Sequence, residues 1–331
     1  MKIALDAMGG DSAPDVEVQG ALDAVEELGV EITLVGNRAS IERSLGSRAK
    51  AEKLSVYHCD EVVGMDETPL KAVRNKRDSS IRVAFELAKQ DKVAAVVSAG
   101  NSGATMAAGV LILGRMKGAE RPAIASIFPG QKGPVILIDV GANVDCRPEH
   151  LFQFGVMAHA FASVCLGVQD PKIGLLSIGE EGSKGNEQVK LTHELFEKSP
   201  LNFSGNVEGR DIFTGDVDII VCDGFVGNVA LKLTEGLTET VSTMVKRDLR
   251  RSFSGRMASF LGRKALRNFI GKLDYAEYGG APLLGINGVG IVCHGASSAK
   301  AIKNAIKLAA RYAMNDTTVR MARLLKNPKA T

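Results

Sequence analysis

Short apolar runs rich in Val, Ile and Leu alternate along the chain with longer segments that repeat apolar residues at helical spacing. Runs of this length predict buried strands, and the segments between them predict helices. Strands separated by helices are typical of right-handed crossovers in a parallel sheet. The predicted strands are "KIALDA", "EITLVG", "LSVYHC", "VAAVVSAG", "PAIASIFPG", "PVILIDVGA", "KIGLLSIG", "DIIVCDG" and "GVGIVCHG".

The helices predicted between these runs differ in length, and the longest comes near the end of the chain. The polar segment 66–80 is predicted to be a loop, either solvated or a flap over a site, and a basic, polar tail follows residue 314. No linker rich in Pro, Ser or charge divides the chain, so we predict a single α/β unit over residues 1–331. The predicted helices span 16–28, 38–45, 79–88, 102–113, 148–165, 186–198, 228–251 and 297–314.

The uncharged stretch Val93–Gly114 raises the alternative of a membrane span. A spanning helix needs about 20 consecutive apolar residues. Here the polar segment Gly100–Gly103 interrupts the run. The pattern therefore favours a buried strand, a loop that contacts a ligand and a helix.

Composition agrees with a globular α/β protein. The 331 residues are 45% hydrophobic and 24% charged, with 36 glycines, 5% aromatic residues and no Trp. A core of Ala, Val, Ile and Leu with tight glycine-rich loops suits a largely parallel sheet. The five cysteines are dispersed, with no CxxC pair, which predicts reduced thiols in the cytoplasm.

Most of the predicted strands end in a loop that pairs glycine with Asn, Ser, Asp or Lys and then enters a helix. The carboxyl ends of parallel strands share one edge of a sheet, where ligands bind, so we expect these loops to converge. Backbone N–H groups and helix N-termini attract anions. The sequence therefore predicts an anion site, and phosphate is the natural ligand.

Several common kinds of site are not indicated. The patterns GxGxxG, GxxxxGK[ST], HExxH and GxSxG are absent, which disfavours the usual NAD, ATP, zinc-protease and acyl-serine sites. No single loop carries a compact trio of carboxylates. The aspartates of the loops are therefore expected to orient the loops, and no metal is predicted. The candidate substrate-binding residues of the loops are Asp6, Gly9, Gly10, Asp11, Ser98, Asn101, Ser102, Gly103, Asp139, Asn143, Asp223, His294, Ser297 and Lys300.

The motifs in these loops, taken together and in order, resemble one known family. The chain is similar to the bacterial phosphate acyltransferases, also called acyl-ACP:phosphate transacylases, from residue 1 to about 314. The matching motifs are "DAMGGD", "SAGNSGA", "DVGAN", "EEGSKGNE", "DGFVGN" and "YGGAPLLGINGVGIVCHG".

The resemblance implies a homodimeric three-layer α/β/α sandwich with a largely parallel sheet, like the isocitrate and isopropylmalate dehydrogenases and phosphotransacetylase. It implies transfer of a long fatty acyl group from acyl carrier protein to inorganic phosphate. A membrane glycerol-3-phosphate acyltransferase would then use the acyl phosphate for phospholipid synthesis. The implied enzyme needs no cofactor, and it works in the cytoplasm at the inner face of the cell membrane.

The resemblance and the loop chemistry together suggest catalytic roles. Phosphate would attack the thioester directly, held by glycine-rich loops. We assign Lys184 to the charge of the phosphate or the oxyanion, with the amides of Asn186, Asn228 and Asn101 as hydrogen-bond donors. His294 is a candidate for proton transfer, with a structural role as its alternative.

A basic segment between Lys246 and Lys272 carries nine lysines or arginines against one aspartate, although the net charge of the chain is only +3. We predict an amphipathic helical protrusion over about 246–273. It would contact an anionic membrane surface or the acidic carrier protein; packing against a dimer partner is the third alternative. No nucleic-acid motif is present. The residues assigned to this surface are Phe253, Arg256, Met257, Phe260, Leu261, Arg263, Lys264 and Arg267.

Three other functions remain open from the residues alone. The first is a phosphotransacylase that uses acyl-coenzyme A, and the second is a decarboxylating dehydrogenase of the same broad fold. The dehydrogenase would need clustered aspartates for a metal and an arginine cluster, and neither is evident. The third is a non-enzymatic scaffold at the membrane surface, which would not need polar glycine loops at so many strand ends.

Overall fold

The computed structural model describes residues 1–50, 52–251, 257, 279–315 and 317–327. Within them, eleven strands form one sheet in the order β3-β2-β1-β4-β11-β10-β5-β6-β9-β7-β8. The strands are β1 Lys2–Asp6, β2 Glu31–Gly36, β3 Leu54–His58, β4 Ala95–Ser98, β5 Ala123–Pro129, β6 Pro134–Ile138, β7 Ile173–Leu176, β8 Phe203–Val207, β9 Ile219–Val221, β10 Ala281–Leu284 and β11 Gly290–Val292.

Helices cover both faces of this sheet. Two of them, α5 and α6, continue as wider π-type turns over 109–113 and 162–166. The helices are α1 Asp15–Leu28, α2 Arg38–Leu45, α3 Pro69–Asn75, α4 Ser80–Lys89, α5 Ser102–Ala108, α6 Pro148–Phe161, α7 Glu187–Glu197, α8 Gly224–Arg251, α9 Ala299–Met314 and α10 Thr317–Lys326.

Alternation of buried side chains along the strands builds two cores, one on each face. Ile3 and Leu5 of β1 belong to the core under α1, α2, α6, α9 and α10, whereas Ala4 between them belongs to the other. The second core lies under α3, α4, α5 and the first turns of α8. Side chains on a strand alternate between faces, so both faces of a central strand must be apolar. The predicted three-layer α/β/α arrangement with a largely parallel sheet is confirmed.

The direction of the strands differs from the prediction in one respect that matters for the site. Strands β1, β2, β3, β4 and β11 are parallel, and β10 pairs antiparallel with both β11 and β5. Strand β5 is in turn antiparallel to β6, which leads a second parallel group of β6, β9, β7 and β8. The two groups point in opposite directions. The expectation that all strand-end loops share one edge is therefore wrong.

Local sequence explains several helix ends. Asn37 begins α2 because its side chain accepts a hydrogen bond from the N–H of Ser40, at 3.0 Å. Gly29 ends α1 with a φ of 66°, a left-handed conformation that glycine adopts without strain. Both ends lie within a residue of the positions predicted from the sequence.

Two segments predicted as irregular are helical. The polar segment 66–80 contains α3, which begins after Thr68 with a proline in its first turn. The tail after residue 314 contains α10, whose Met321 and Leu324 are buried in the first core. These helices contain few apolar residues, so the pattern of apolar positions did not predict them.

The predicted basic protrusion lies largely outside the described residues. Helix α8 extends to Arg251, and Met257 is exposed, but the other residues assigned to this surface fall in 252–256 and 258–278. The prediction of a protrusion on a single unit stays a prediction. No helix in the described part of the chain is both long and apolar enough to cross a membrane.

Candidate active site

The loops after β1, β4 and β11 contact one another. The Ser98 hydroxyl donates a hydrogen bond to Oδ2 of Asp6 at 2.7 Å and accepts one from the N–H of Gly100 at 3.1 Å. The N–H of Asp11 donates to the carbonyl oxygen of Gly295 at 2.9 Å. These bonds join three of the predicted loops into one rigid corner.

Close packing explains the paired glycines of the first loop. A Cβ at Gly9 would lie 2.6 Å from the amide nitrogen of Gly100. A Cβ at Gly10 would lie 2.1 Å from a carboxylate oxygen of Glu17. Both distances are far below van der Waals contact, so a larger residue at Gly9 would push the loops after β1 and β4 apart, and one at Gly10 would displace the Glu17 side chain of α1.

Three carboxyl groups, those of Asp6, Asp11 and Glu17, lie near one another in this corner. Burial raises the pKa of Asp6, against the hydrogen bonds from Ser80 and Ser98 that lower it. Burial also raises the pKa of Glu17 to about 7, and Asp11 lies close enough to add to that effect. Like charges repel strongly where water is excluded. Asp6 orients the loop after β4 through the hydrogen bond that it accepts from Ser98. Substrate binding by Asp6 and Asp11 stays a prediction.

A second set of loops follows β6 and β9. Asp139 is fully buried, and its carboxylate accepts hydrogen bonds from the N–H groups of Ile124 (3.1 Å), Ala142 (3.0 Å) and Asn143 (2.7 Å). The N–H of Gly141 adds a fourth at 3.3 Å, and the Asn143 side-chain amide a fifth at 2.9 Å. Burial nevertheless raises the pKa of Asp139. This carboxylate fixes the loop that leaves β6.

The loop after β6 is attached to the start of α8. The carbonyl oxygen of Asn143 accepts from the N–H of Gly224 at 2.8 Å. Asp223 then accepts from the N–H groups of Phe225 and Val226, at 2.9 and 3.0 Å. Two of the four N–H groups that a helix leaves free at its start are thereby satisfied. The first turns of α8 are held in a fixed position against the sheet.

The loop after β7 carries the predicted catalytic residues Lys184 and Asn186. Asn186 begins α7, because its side chain accepts from the N–H of Val189 at 2.9 Å. Asn206 braces the loop by donating to the carbonyl oxygen of Glu181, also at 2.9 Å. Lys184 is exposed, and it forms no ion pair with any described residue.

Helix α8 connects the two sets of loops. It begins after β9, and its inner face covers a cavity of about 200 Å³ that reaches the end of β11. Apolar side chains of β5, β11 and α8, among them Ile124, Val292 and Leu231, form part of the wall. The residues that supply polar groups come from both sets of loops and from α8: Ser102, Gly141, Asn228, Lys232, Glu235 and His294.

The polar groups at one end of this cavity interact. Lys232 Nζ donates to the Glu235 carboxylate at 2.8 Å, and His294 Nε2 lies 4.0 Å from the same oxygen. His294 Nδ1 accepts from the N–H of Ala296 at 3.1 Å. A neutral imidazole with Nδ1 as acceptor carries its hydrogen on Nε2, the ring nitrogen that lies 4.0 Å from Glu235.

The cavity contains some of the predicted site residues and not others. Ser102, Asn228 and His294 line it, whereas Lys184 and Asn186 do not. Ser297 lies next to the cavity, where its N–H donates to the carbonyl oxygen of His294, and Lys300 lies in the first turn of α9.

Asn101 and Gly103 hold the segment before α3 in place. The Asn101 amide nitrogen donates to the carbonyl oxygen of Met65 at 2.9 Å, and its oxygen accepts from Ala104. A Cβ at Gly103 would lie 2.6 Å from the ring of Pro69. The predicted donor group of Asn101 is therefore already engaged with the chain itself.

Sequence reasoning missed two charged residues of the cavity, Lys232 and Glu235. With Asn228 they occupy positions i, i+4 and i+7 of α8, so they lie on one side of the helix. Asn228 is the last residue of "DGFVGN", and the other two follow it along the same helix, so the spacing could be seen in the sequence. It was obscured because the same helix also carries an apolar row.

The cavity is lined by one cysteine, and the described residues contain no group of metal ligands. Cys293 lines the cavity, and burial raises the pKa of its thiol to about 12. A protonated thiol is a poor nucleophile at neutral pH. Among the described residues, no three His, Cys, Asp or Glu side chains are grouped so that they could hold a metal ion.

Comparison with known proteins identifies the family. Residues 1–320 match the model of the family described as "Fatty acid synthesis protein". The chain belongs to this family. A curated relative, "Phosphate acyltransferase" from Geobacter sp. (strain M21), is 56% identical over 326 residues, which are 98% of this chain and 93% of that protein. Given this identity over nearly the full length, the chain is an enzyme of the acyltransferase class.

Solved structures share the family's fold. A phosphotransacetylase from Streptococcus pyogenes superposes with a TM-score of 0.63 at 17% identity, covering 95% of this chain and 94% of that one. A branched-chain phosphotransacylase from Enterococcus faecalis V583 gives 0.59 at 14% identity, covering 95% and 99%. At such identities the likeness shows the fold alone.

Proposed function

We propose that the chain transfers a long-chain fatty acyl group from acyl carrier protein to inorganic phosphate, forming an acyl phosphate. The main support is that a single cavity is lined by amide, hydroxyl and cationic groups together with apolar side chains. A phosphate and an acyl thioester need those two kinds of surface side by side. Membership of a fatty acid synthesis family supports the same reaction.

In the proposed reaction a phosphate oxygen forms a bond to the thioester carbonyl carbon. The carbonyl oxygen becomes an oxyanion, the C–S bond breaks, and the electron pair leaves as the thiolate of the carrier, which takes a proton from solvent. The protein has no bond to make or break. Its contribution is to hold the two reactants in line and to stabilise the oxyanion, and each effect can supply several kcal/mol.

Asn228 and Lys232 are the groups of the cavity best suited to this task. The Asn228 side chain has no hydrogen-bond partner among the described residues and can donate to an oxyanion. Lys232 supplies positive charge beside the phosphate, held in place by Glu235. Lys184 and Asn186 keep their proposed role, on the loop two strands away from β6. Phosphate would then lie between this loop and α8.

The donor is the finer part of the proposal. Both acyl carrier protein and coenzyme A present the acyl group on a thiol, and the cavity itself does not distinguish them. The basic segment after α8 favours the carrier protein, because carrier proteins are acidic as a class. The same segment would place the enzyme at the inner face of the cell membrane, where a membrane glycerol-3-phosphate acyltransferase consumes the acyl phosphate in phosphatidic acid synthesis.

We further propose that the enzyme is a homodimer. The outer side of α8 presents a continuous row of exposed apolar side chains, with Leu233 70% and Leu237 62% accessible. Rows of this size on a protein surface usually mark an interface. The members of the row are Phe225, Val229, Leu233, Leu237, Val241 and Met244.

The reaction is tested by incubating the protein with palmitoyl carrier protein and phosphate and trapping the product with hydroxylamine. We expect palmitoyl hydroxamate that depends on phosphate, and a higher kcat/KM for the carrier-protein thioester than for palmitoyl-coenzyme A. Equal rates with both donors would contradict the carrier assignment. Release of free fatty acid without any acyl phosphate would contradict the transfer to phosphate.

A further inference from the structure

The cavity assigned to phosphate contains a carboxylate as well as a lysine. Glu235 and Lys232 supply the only carboxylate and the only ammonium group among the described residues that line it. They stand three positions apart on α8 and form an ion pair, with Nζ of Lys232 2.8 Å from Oε2 of Glu235. The two charges offset each other, so the lysine alone does not make the cavity attractive to anions. The carboxylate repels any anion that does not donate a hydrogen bond to it.

One oxygen of this carboxylate is free to accept such a bond. Lys232 donates to Oε2, and Nε2 of His294 lies 4.0 Å from the same oxygen. Oε1 of Glu235 accepts no hydrogen bond from the part of the chain that the structure describes. Only 18% of the side chain is exposed, so water has limited access to it. A ligand with a hydroxyl group would supply the missing donor.

Inorganic phosphate carries a hydroxyl group near neutral pH, whereas sulfate does not. Hydrogenphosphate and sulfate are both tetrahedral dianions of similar size, and they differ chiefly in this one hydrogen. The cavity of about 200 Å³ has room for either ion, since a water needs only about 10–15 Å³. Neither size nor charge therefore separates the two. A carboxylate separates them, because it only accepts hydrogen bonds and repels an oxygen that carries no proton.

We propose that Glu235 makes the site specific for oxyanions that carry a proton: Oε1 accepts a hydrogen bond from the hydroxyl group of phosphate, and Lys232 pairs with an unprotonated oxygen of the same ion. The inference rests on the proposed function, whose acceptor substrate it specifies. Arsenate, which also keeps a proton near neutral pH, is accepted, and sulfate is rejected. Sites built around a bonded hydroxyl group reject an analogue without it by about 10⁴-fold or more. For a partly exposed carboxylate we expect about 100-fold.

Glu235→Gln tests this role, because the amide has the same shape and can donate a hydrogen bond to any oxyanion. The measurement is equilibrium dialysis of radioactive phosphate, with sulfate or arsenate as competitor at constant ionic strength. In the parent, sulfate should compete about 100-fold more weakly than unlabelled phosphate, and arsenate should come within about fivefold of phosphate. In Glu235→Gln the difference between sulfate and phosphate should shrink by about tenfold or more.

Glu239→Gln is the matched control, since Glu239 is exposed one turn further along α8 and does not line the cavity. It removes the same charge from the same helix and should leave the selectivity unchanged. An equal loss of selectivity in both variants would reduce the effect to net charge and overturn the proposal. An unchanged selectivity in Glu235→Gln would also overturn it, because Glu235 would then only hold Lys232 in place. If Glu235→Gln does not fold, Glu235→Ala takes its place under the same two criteria.

Binding and turnover together separate this inference from the proposed reaction. Selectivity that depends on Glu235, in a protein that forms no acyl phosphate, would support the role of Glu235 and reject the reaction. Acyl transfer to phosphate with unchanged selectivity in Glu235→Gln would support the reaction and reject the role. A parent protein that binds no phosphate, binds sulfate as tightly as phosphate, or rejects arsenate together with sulfate would overturn the inference outright.

Discussion

Glu17 should make the enzyme less stable as the pH rises from 4.5 to 7. Its side chain is 1% exposed, and Oε2 has no hydrogen-bond partner among the described residues. Burial raises its pKa from 4.5 to about 7. Between those values the folded protein holds a proton that the unfolded chain has released, so the free energy of unfolding falls as pH rises through this interval. At roughly 1.4 kcal/mol per pH unit, the loss contributed by Glu17 approaches about 3 kcal/mol by pH 7.

Glu17→Gln keeps the shape of the protonated side chain and removes the titration. Urea unfolding of both proteins should be measured from pH 4.5 to 8. As the pH rises from 4.5 to 8, the free energy of unfolding of the variant is expected to increase relative to that of the parent by up to about 3 kcal/mol. This holds whatever the difference between the two proteins is at pH 4.5. Glu26→Gln, an exposed position on the same helix, should leave the pH dependence unchanged. Parallel curves for Glu17→Gln and the parent would show that Glu17 does not hold a proton in the folded protein between pH 4.5 and 7.

Three further predictions concern the catalytic groups, the loop after β6 and the assembly. Lys232→Ala and Lys184→Ala should each lower kcat/KM for acyl phosphate formation by roughly 100-fold or more, and near-normal turnover in either would remove that lysine from the mechanism. Asp139→Asn should lower the free energy of unfolding by about 2–4 kcal/mol, because an amide nitrogen then faces backbone N–H groups that lose their acceptor; urea unfolding that matches the parent would contradict this role. Leu233→Asp combined with Leu237→Asp should halve the mass measured by light scattering without changing the circular dichroism spectrum, and an unchanged mass would place the interface elsewhere.

The pattern of apolar residues in the sequence was sufficient to predict the three layers of the fold. Runs such as "VAAVV" contain no polar residue, which is typical of a strand buried on both faces. Helix α2 was predicted at its observed bounds, Arg38–Leu45, because Asn37 supplies a clear start. Helices α3 and α10 were not found, since each buries only a few side chains and depends on contacts with distant elements.

Strand direction could not be obtained from the sequence. Strand β10 is four residues long and was not among the predicted strands, yet its antiparallel pairing with β11 and β5 separates the two parallel groups. A pattern of apolar residues is the same whichever way a strand points. The predicted loops were therefore correct as candidates, but their grouping into two sets, and the separation of Lys184 from the cavity, required the structure.

The two groups of strands point in opposite directions, so their loops do not share one edge of the sheet. Helix α8 connects these loops at a single site. Its 28 residues extend about 42 Å, long enough to connect loops that leave the sheet in opposite directions. With 100° between successive residues, two functions occupy two sides: Asn228 and Lys232 face the cavity, and Leu233 faces outward. Substitutions at neighbouring positions on this helix, such as Lys232 and Leu233, should therefore affect different properties, namely turnover and assembly. If neighbouring substitutions all impaired the same property, α8 would be serving as one structural support, and the separate roles proposed for its sides would be wrong.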